Sequence, residues 1–128
     1  MEQDLQLLLD AKFNLSITGS RTICEPCPVD SDYDYLVEVE SKERLSELVS
    51  ILDSNGFEWE GATEHYQDVG DNFMSWRKGK LNFIVTKNED FIKKHKLATY
   101  VCKRLNLLKK EDRITVFQAI LYNNYYSN

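Results

Sequence analysis

The chain has 128 residues, of which 42% are hydrophobic and 29% charged, and carries a formal net charge of −5. These values suit one domain, residues 1–128, with a modest core; they exclude a globally basic nucleic-acid binder, and no apolar run approaches the length of a membrane span. Three cysteines fit a reducing compartment better than a disulfide framework, and the acidic, amphipathic start lacks the basic-then-apolar order of a signal peptide, so the expected location is the cytoplasm.

In chain order, Gln3 to Lys12 spaces Leu5, Leu8 and Leu9 as a short amphipathic helix. Asn14 to Thr18 alternates as a strand that runs into Gly19. Residues 21–31 hold Pro26 and Pro28 and lack periodicity, which predicts a loop with room for one helical turn. Tyr33 to Val39 is a strand with Tyr33, Tyr35, Val37 and Val39 on one face and Asp32, Asp34, Leu36 and Glu38 on the other. Ser41 to Ser54 reads as a helix with Ser41 as N-cap, a buried stripe of Leu45, Leu48, Val49 and Leu52, and Asn55-Gly56 as its stop. Phe57 to Glu60 alternates as a further strand. Phe73–Trp76 and Leu81–Val85 form a hairpin around Lys78-Gly79, and helices over Phe91–Leu105 and Asp112–Tyr126 complete the chain. This order predicts an α/β (α+β) protein: a small mixed sheet with helices packed on one face and a site at one edge.

Charge is unevenly distributed. Residues 1–76 carry 4 basic against 17 acidic side chains, a balance of −13, whereas residues 77–113 carry 12 against 4, a balance of +8. A solvated helix face is the ordinary meaning of such a run, and a basic surface guiding phosphates toward an acidic site is the functional one.

The chemistry-bearing stretch is Thr18-Gly19-Ser20-Arg21, followed by Asp32-Tyr33-Asp34 with eleven residues between Ser20 and Asp32. Gly19 lets backbone approach a phosphate with no Cβ in the way, Ser20 offers its hydroxyl and N–H to phosphate oxygens, and Arg21 adds a cationic fork. Asp32 and Asp34, at i and i+2 on a strand, project from one face and supply hard oxygen ligands suited to Mg²⁺ or Mn²⁺.

This pattern resembles the nucleotidyltransferase superfamily, which has a DNA polymerase beta-like fold. The nearest local likeness is to the minimal nucleotidyltransferases, where Gly-Ser-Arg precedes Ser-Asp-x-Asp; here these are Gly19-Ser20-Arg21 and Ser31-Asp32-Tyr33-Asp34. The closing stretch Asp112 to Ala119 is similar to that of small members encoded by tailed phages, which would place the protein in a host cytoplasm. The resemblance implies Mg²⁺-dependent transfer of a nucleoside monophosphate from a nucleoside triphosphate to a hydroxyl of RNA, protein or a small molecule. It assigns phosphate to Gly19, Ser20 and Arg21, and metal to Asp32 and Asp34. It also implies a third carboxylate on a later strand, where Leu81-Asn82-Phe83-Ile84-Val85 carries Asn82 instead. An amide can orient a metal-bound water but brings no charge and no base. Glu58, Glu60, Glu64, Asp68 and Asp71 are the acids that could substitute.

Asn82 motivates a second expectation from a different class: a catalytically silent descendant that binds nucleotide or a protein partner, such as a viral factor interfering with its host. A toxin-like or antitoxin-like transferase modifying a host protein or tRNA is a third. Cys24-Glu25-Pro26-Cys27 lacks the second ligand pair of a structural zinc site and reads as a coincidental pair in a constrained loop. His65 and His95 read as surface or partner-facing residues. Lys93, Lys94, His95, Lys96, Lys103 and Arg104 read mostly as solvated surface; the alternative is a groove for a polyanionic acceptor such as RNA, with Arg77-Lys78-Gly79-Lys80 as its other edge. Tyr122, Tyr125 and Tyr126 cluster with Phe117 and Leu121, mostly as core at helical spacing.

Overall fold

Why the central strands are buried on both sides is visible in their sequences. In the computed structural model, which describes residues 2–27, 30–61 and 73–122, β5 (Leu81–Thr86) is buried at all six positions. It lies between β2 (Tyr33–Glu38), to which it is parallel, and β4 (Met74–Lys78), to which it is antiparallel. β1 (Asn14–Thr18) pairs antiparallel with β2 at one edge, and β3 (Glu58–Gly61) pairs antiparallel with β4 at the other, giving the order β1-β2-β5-β4-β3. The expected mixed α+β class holds. A continuous apolar run such as Leu81-Asn82-Phe83-Ile84-Val85 needs cover above and below the sheet.

Helices supply that cover on both faces, which corrects the expectation of helices on one face. Val37, Phe83, Val85 and Trp76 face α1 (Glu2–Asp10) and α3 (Lys42–Ser54), packing with Leu8, Leu48 and Leu52. Leu36 and Ile84, one residue out of phase, face the opposite way and pack with Ile23 of α2 (Ser20–Ile23), Phe91, Ala98 and Cys102 of α4 (Glu89–Arg104), and Phe117 and Leu121 of α5 (Lys110–Tyr122). The acids on that face of β2 made it look solvated, yet Leu36 is only 1% exposed. Polar residues gather toward the ends of the strands, and the apolar centre is shared by two cores.

Local signals set the boundaries. The Ser41 hydroxyl accepts from the Arg44 N–H at 3.1 Å and starts α3, while Asn88 Oδ1 accepts from the Asp90 and Phe91 N–H groups and starts α4. Gly79 opens the β4–β5 turn with φ of 60°, a conformation natural to glycine. The turn residues Gly79 and Lys80 pair Lys78 with Leu81, and therefore Arg77 with Asn82.

The charge asymmetry is partly spent inside the fold. Lys78 pairs with Asp4, Lys80 with Asp30 and Lys96 with Glu38, joining the basic half of the chain to the acidic half. Such exposed pairs contribute about 0–1 kcal/mol each. Among the described residues no helix is long and apolar enough to cross a membrane.

His95 also departs from the sequence expectation. It lies in the core, 1% exposed, with its ring against Phe91 and Phe117. The reason is its place on the inward stripe of α4, one turn from Phe91 and Ala98. Burial lowers its pKa to about 4. The unfolded chain therefore binds a proton between its ordinary value near 6.5 and pH 4 that the folded chain refuses, and stability falls as pH falls through that window. We expect this residue to cost about 3 kcal/mol by pH 4. Denaturant titrations from pH 7 to pH 4 should show a flatter acid limb for His95→Phe; an unchanged slope would reject the assignment.

Candidate functional site

Thr18, Asp34, Asn82 and Arg77 form one cross-strand row over β1, β2, β5 and β4. The candidate residues thus lie at one end of the sheet and span four of its strands, where an edge location was expected.

Gly19 follows β1 and is the N-cap of α2, with φ of 78° and ψ of −172°, a region open almost exclusively to glycine. Its carbonyl accepts from the Thr22 and Ile23 N–H groups at 3.1 Å each, which turns the chain into α2. A Cβ at this position would collide with Oδ2 of Asp34. The turn and the second acid of the pair are therefore packed against each other, and glycine is required by both backbone and space. Thr18 anchors this end to α4: its hydroxyl meets that of Thr99 at 2.9 Å, and Thr99 in turn donates to the His95 carbonyl.

Ser20 and Arg21 hold the loop that leads to the acids. Ser20 Oγ donates to Ser31 Oγ at 2.7 Å, and Arg21 Nε donates to the Ser31 carbonyl at 3.0 Å. The Arg21 guanidinium lies over the Tyr33 ring, 3.9 Å from its centre. Both residues link the glycine turn to the start of β2.

Asp34 is mostly buried, and that burial raises its pKa. Asn82 Nδ2, which donates to Asp34 Oδ1 at 3.1 Å, works in the other direction; Asp32 raises the pKa and Arg77 lowers it. Asn82 is 5% exposed, and its Oδ1 accepts from the fully buried Ser75 hydroxyl at 2.9 Å. Ser75 thus helps fix the amide so that its NH₂ faces the carboxylate. The position expected to carry a third acid carries a hydrogen-bond donor aimed at the second.

Arg77 is the residue that sequence reasoning misplaced, as part of a basic turn bordering an acceptor groove. Its Nη1 pairs with Asp32 Oδ2 at 2.9 Å and its Nε with Glu60 Oε1 at 3.0 Å. Partial burial opposes its charge, but the bonds to Glu60 and Asp32 outweigh that and raise its pKa. A signal was present: the two-residue turn at Gly79-Lys80 places Arg77 opposite Asn82, on the face of β4 away from Trp76.

Of the acids able to replace a third carboxylate, Glu60 reaches the row through Arg77, whereas Glu58 is exposed on β3. Glu64, Asp68 and Asp71 lie outside the described residues, as do His65, Tyr125 and Tyr126. Cys24 is a buried free thiol and Cys27 an exposed one, and Arg113 Nη1 donates to Cys24 Sγ at 3.2 Å. Among the described residues no group of three or more His, Cys, Asp or Glu side chains converges as a metal cage.

The residues present do fit one hard cation shared with a phosphate. Asp32 and Asp34 supply two carboxylates, the usual protein share for Mg²⁺ bound together with substrate phosphates. Gly19 packs on Oδ2 of Asp34 with no side chain between them, and Asp32 Oδ2 pairs with the Arg77 guanidinium.

No family model matches the chain, and no curated protein matches it. Among solved structures, the crystal structure of the conserved protein GrpB from Enterococcus faecalis aligns with it at a TM-score of 0.61, with 16% sequence identity, over 98% of this chain and 90% of that one. The chain therefore shares the GrpB fold, and the likeness at this identity speaks for fold alone.

Proposed function

We propose that this protein is a nucleotidyltransferase-fold protein that seats a nucleoside triphosphate with Mg²⁺ on the surface shared by the Gly19 turn and the Asp32–Asp34 pair, and transfers the nucleoside monophosphate to a hydroxyl acceptor. The observation that carries this reading is the packing of Gly19 directly on the Asp34 carboxylate. A phosphate turn and a metal-binding acid act on one triphosphate only if they share a surface. The resemblance of Gly19-Ser20-Arg21 and Ser31-Asp32-Tyr33-Asp34 to the minimal nucleotidyltransferases supports it, and the shared GrpB fold is compatible with it.

In this reading the Gly19 backbone N–H and Ser20 donate to phosphate oxygens, while Arg21 keeps the loop in register and offsets negative charge. Asp32 and Asp34 would hold the cation, which when bound would supply charge neutralisation on the phosphates. Asn82 orients Asp34 through its amide. The acceptor is a hydroxyl of RNA, protein or a small molecule, and the setting is a cytoplasm, that of a host cell if the gene is phage-borne.

The test is transfer of label from α-labelled triphosphates with Mg²⁺ to RNA and protein acceptors. The Asp32→Ala/Asp34→Ala double variant is expected to lose transfer by 10³-fold or more, on the order of 4 kcal/mol of transition-state stabilisation. Equal label on wild type and double variant would sink the enzymatic claim.

One observation favours a second reading. The donor face of Asn82 points at Asp34, where an active relative would place a carboxylate. A catalytically silent protein that binds nucleotide or a protein partner, such as a viral host-interference factor, would keep the seat and lose the base. Triphosphate binding without turnover would select this reading.

A further inference from the structure

Arg77 has no part in the scheme above, yet it makes the closest charged contact of the site. It arrives from β4 and binds acids from two other segments: Asp32, which precedes β2, and Glu60 on β3. With Asp34 beside Asp32, three carboxylates gather at one end of the sheet. Asn82 covers Asp34 with a neutral amide, and Arg77 covers Asp32 and Glu60 with a single positive charge.

We propose that Arg77 is an exchangeable counter-ion of the seat: it yields Asp32 to a divalent cation, stays tethered by Glu60, and turns its freed fork to the triphosphate. The inference rests on the reading of Asp32 and Asp34 as metal ligands. Three features support it. The pair is partly exposed, 28% for the Arg77 side chain and 42% for Asp32, so a hydrated ion can reach it. An ion pair of that exposure contributes little, and its loss is a small cost against the gain of a divalent ion on two carboxylates. The contacts use Nη1 and Nε, two of the three guanidinium nitrogens, so the fork keeps N–H groups for a phosphate while Nε remains on Glu60.

The test uses the full chain and Mn²⁺ alone, with free ion read by electron paramagnetic resonance, and then Mn²⁺ with a non-hydrolysable ATP analogue. Arg77→Gln and Arg77→Met are expected to bind Mn²⁺ alone about tenfold tighter than wild type, since a positive charge a few ångströms from the ion is gone. Arg77→Lys, which keeps the charge, should stay within about twofold of wild type. With the analogue present the order reverses, and the Gln and Met variants should bind it about tenfold more weakly. Mn²⁺ affinity that is unchanged or reduced in folded Gln and Met variants overturns the exchange. Tighter Mn²⁺ with undiminished analogue binding overturns the phosphate contact. A wild type that binds no Mn²⁺, or an Asp32→Asn/Asp34→Asn variant that binds it equally well, removes the metal seat and the proposed function with it.

Discussion

Replacing Gly19 with alanine is expected to lower stability by about 3 kcal/mol and to abolish triphosphate binding. Two penalties combine. The backbone at φ 78° and ψ −172° is accessible to glycine and strained by roughly 1–3 kcal/mol for any other residue. The new methyl would also collide with the Asp34 carboxylate, so either the turn or the acid must move. Gly79→Ala is the control. Its φ is 60°, but nothing lies within 4 Å of the added Cβ, so strain is its only penalty, about 1 kcal/mol. Thermal melts should separate the two variants by several degrees, with Gly19→Ala the lower. Equal melting points would show that Gly19 and Asp34 are not in contact.

Asn82→Asp should have the second largest effect, and its sign depends on metal. Aspartate retains the bond from Ser75 but loses the NH₂ that Asp34 accepts, and sets a second carboxylate oxygen about 3 Å from the first in a nearly buried position. Two carboxylates so placed cannot both ionise freely, and one must take a proton. A carboxylate pKa raised by folding means that the folded state binds the extra proton, so stability is lost as pH rises through that value. Without metal at pH 8 the variant should be about 2–3 kcal/mol less stable than wild type. Part of this difference from wild type should return on acidification toward pH 5, where both proteins carry the same His95 penalty. Mg²⁺ should restore it at pH 8 and raise the melting temperature of the variant more than that of wild type. If Asn82 is what silences the site, transfer should appear in this variant. A melting temperature indifferent to both pH and Mg²⁺ would contradict the geometry of the Asp34–Asn82 pair.

Much of this fold can be read from short-range chemistry. β1, β2 and the β4–β5 hairpin follow from alternation and the Gly79 turn, and Ser41 and Gly56 bracket α3 as capping residues do. Gly19, Asp32 and Asp34 stood out by residue type and spacing, and the structure brings Gly19 and Asp34 into contact. What was not legible depends on long-range packing. Leu36 lay among acids on its strand face, and only its register with Ile84 reveals a second core under α4 and α5. His95 lay among lysines, and its burial depends on Phe117 from another helix. Arg77 looked like one more cation of a basic turn, because its partners Asp32, just before β2, and Glu60, on β3, are brought near by a strand order that the sequence does not state.

The acidic N-terminal and basic C-terminal halves teach a related lesson. Lys78–Asp4, Lys96–Glu38 and Arg77–Asp32 are pairs between the halves, so part of the asymmetry reports how the chain folds on itself. Lys93, Lys103 and Arg104 remain exposed along α4, the helix that Thr99 joins to the end of β1. Under the proposed function, these side chains would be among those to meet a polyanionic acceptor.

The most direct measurement is calorimetric titration of a non-hydrolysable nucleoside triphosphate, with and without Mg²⁺, into wild type and the Asp32→Ala/Asp34→Ala variant. The account predicts Mg²⁺-dependent, one-to-one binding to wild type that the double variant loses. Binding of equal strength in both proteins, or none to wild type at millimolar nucleotide and Mg²⁺, would contradict it.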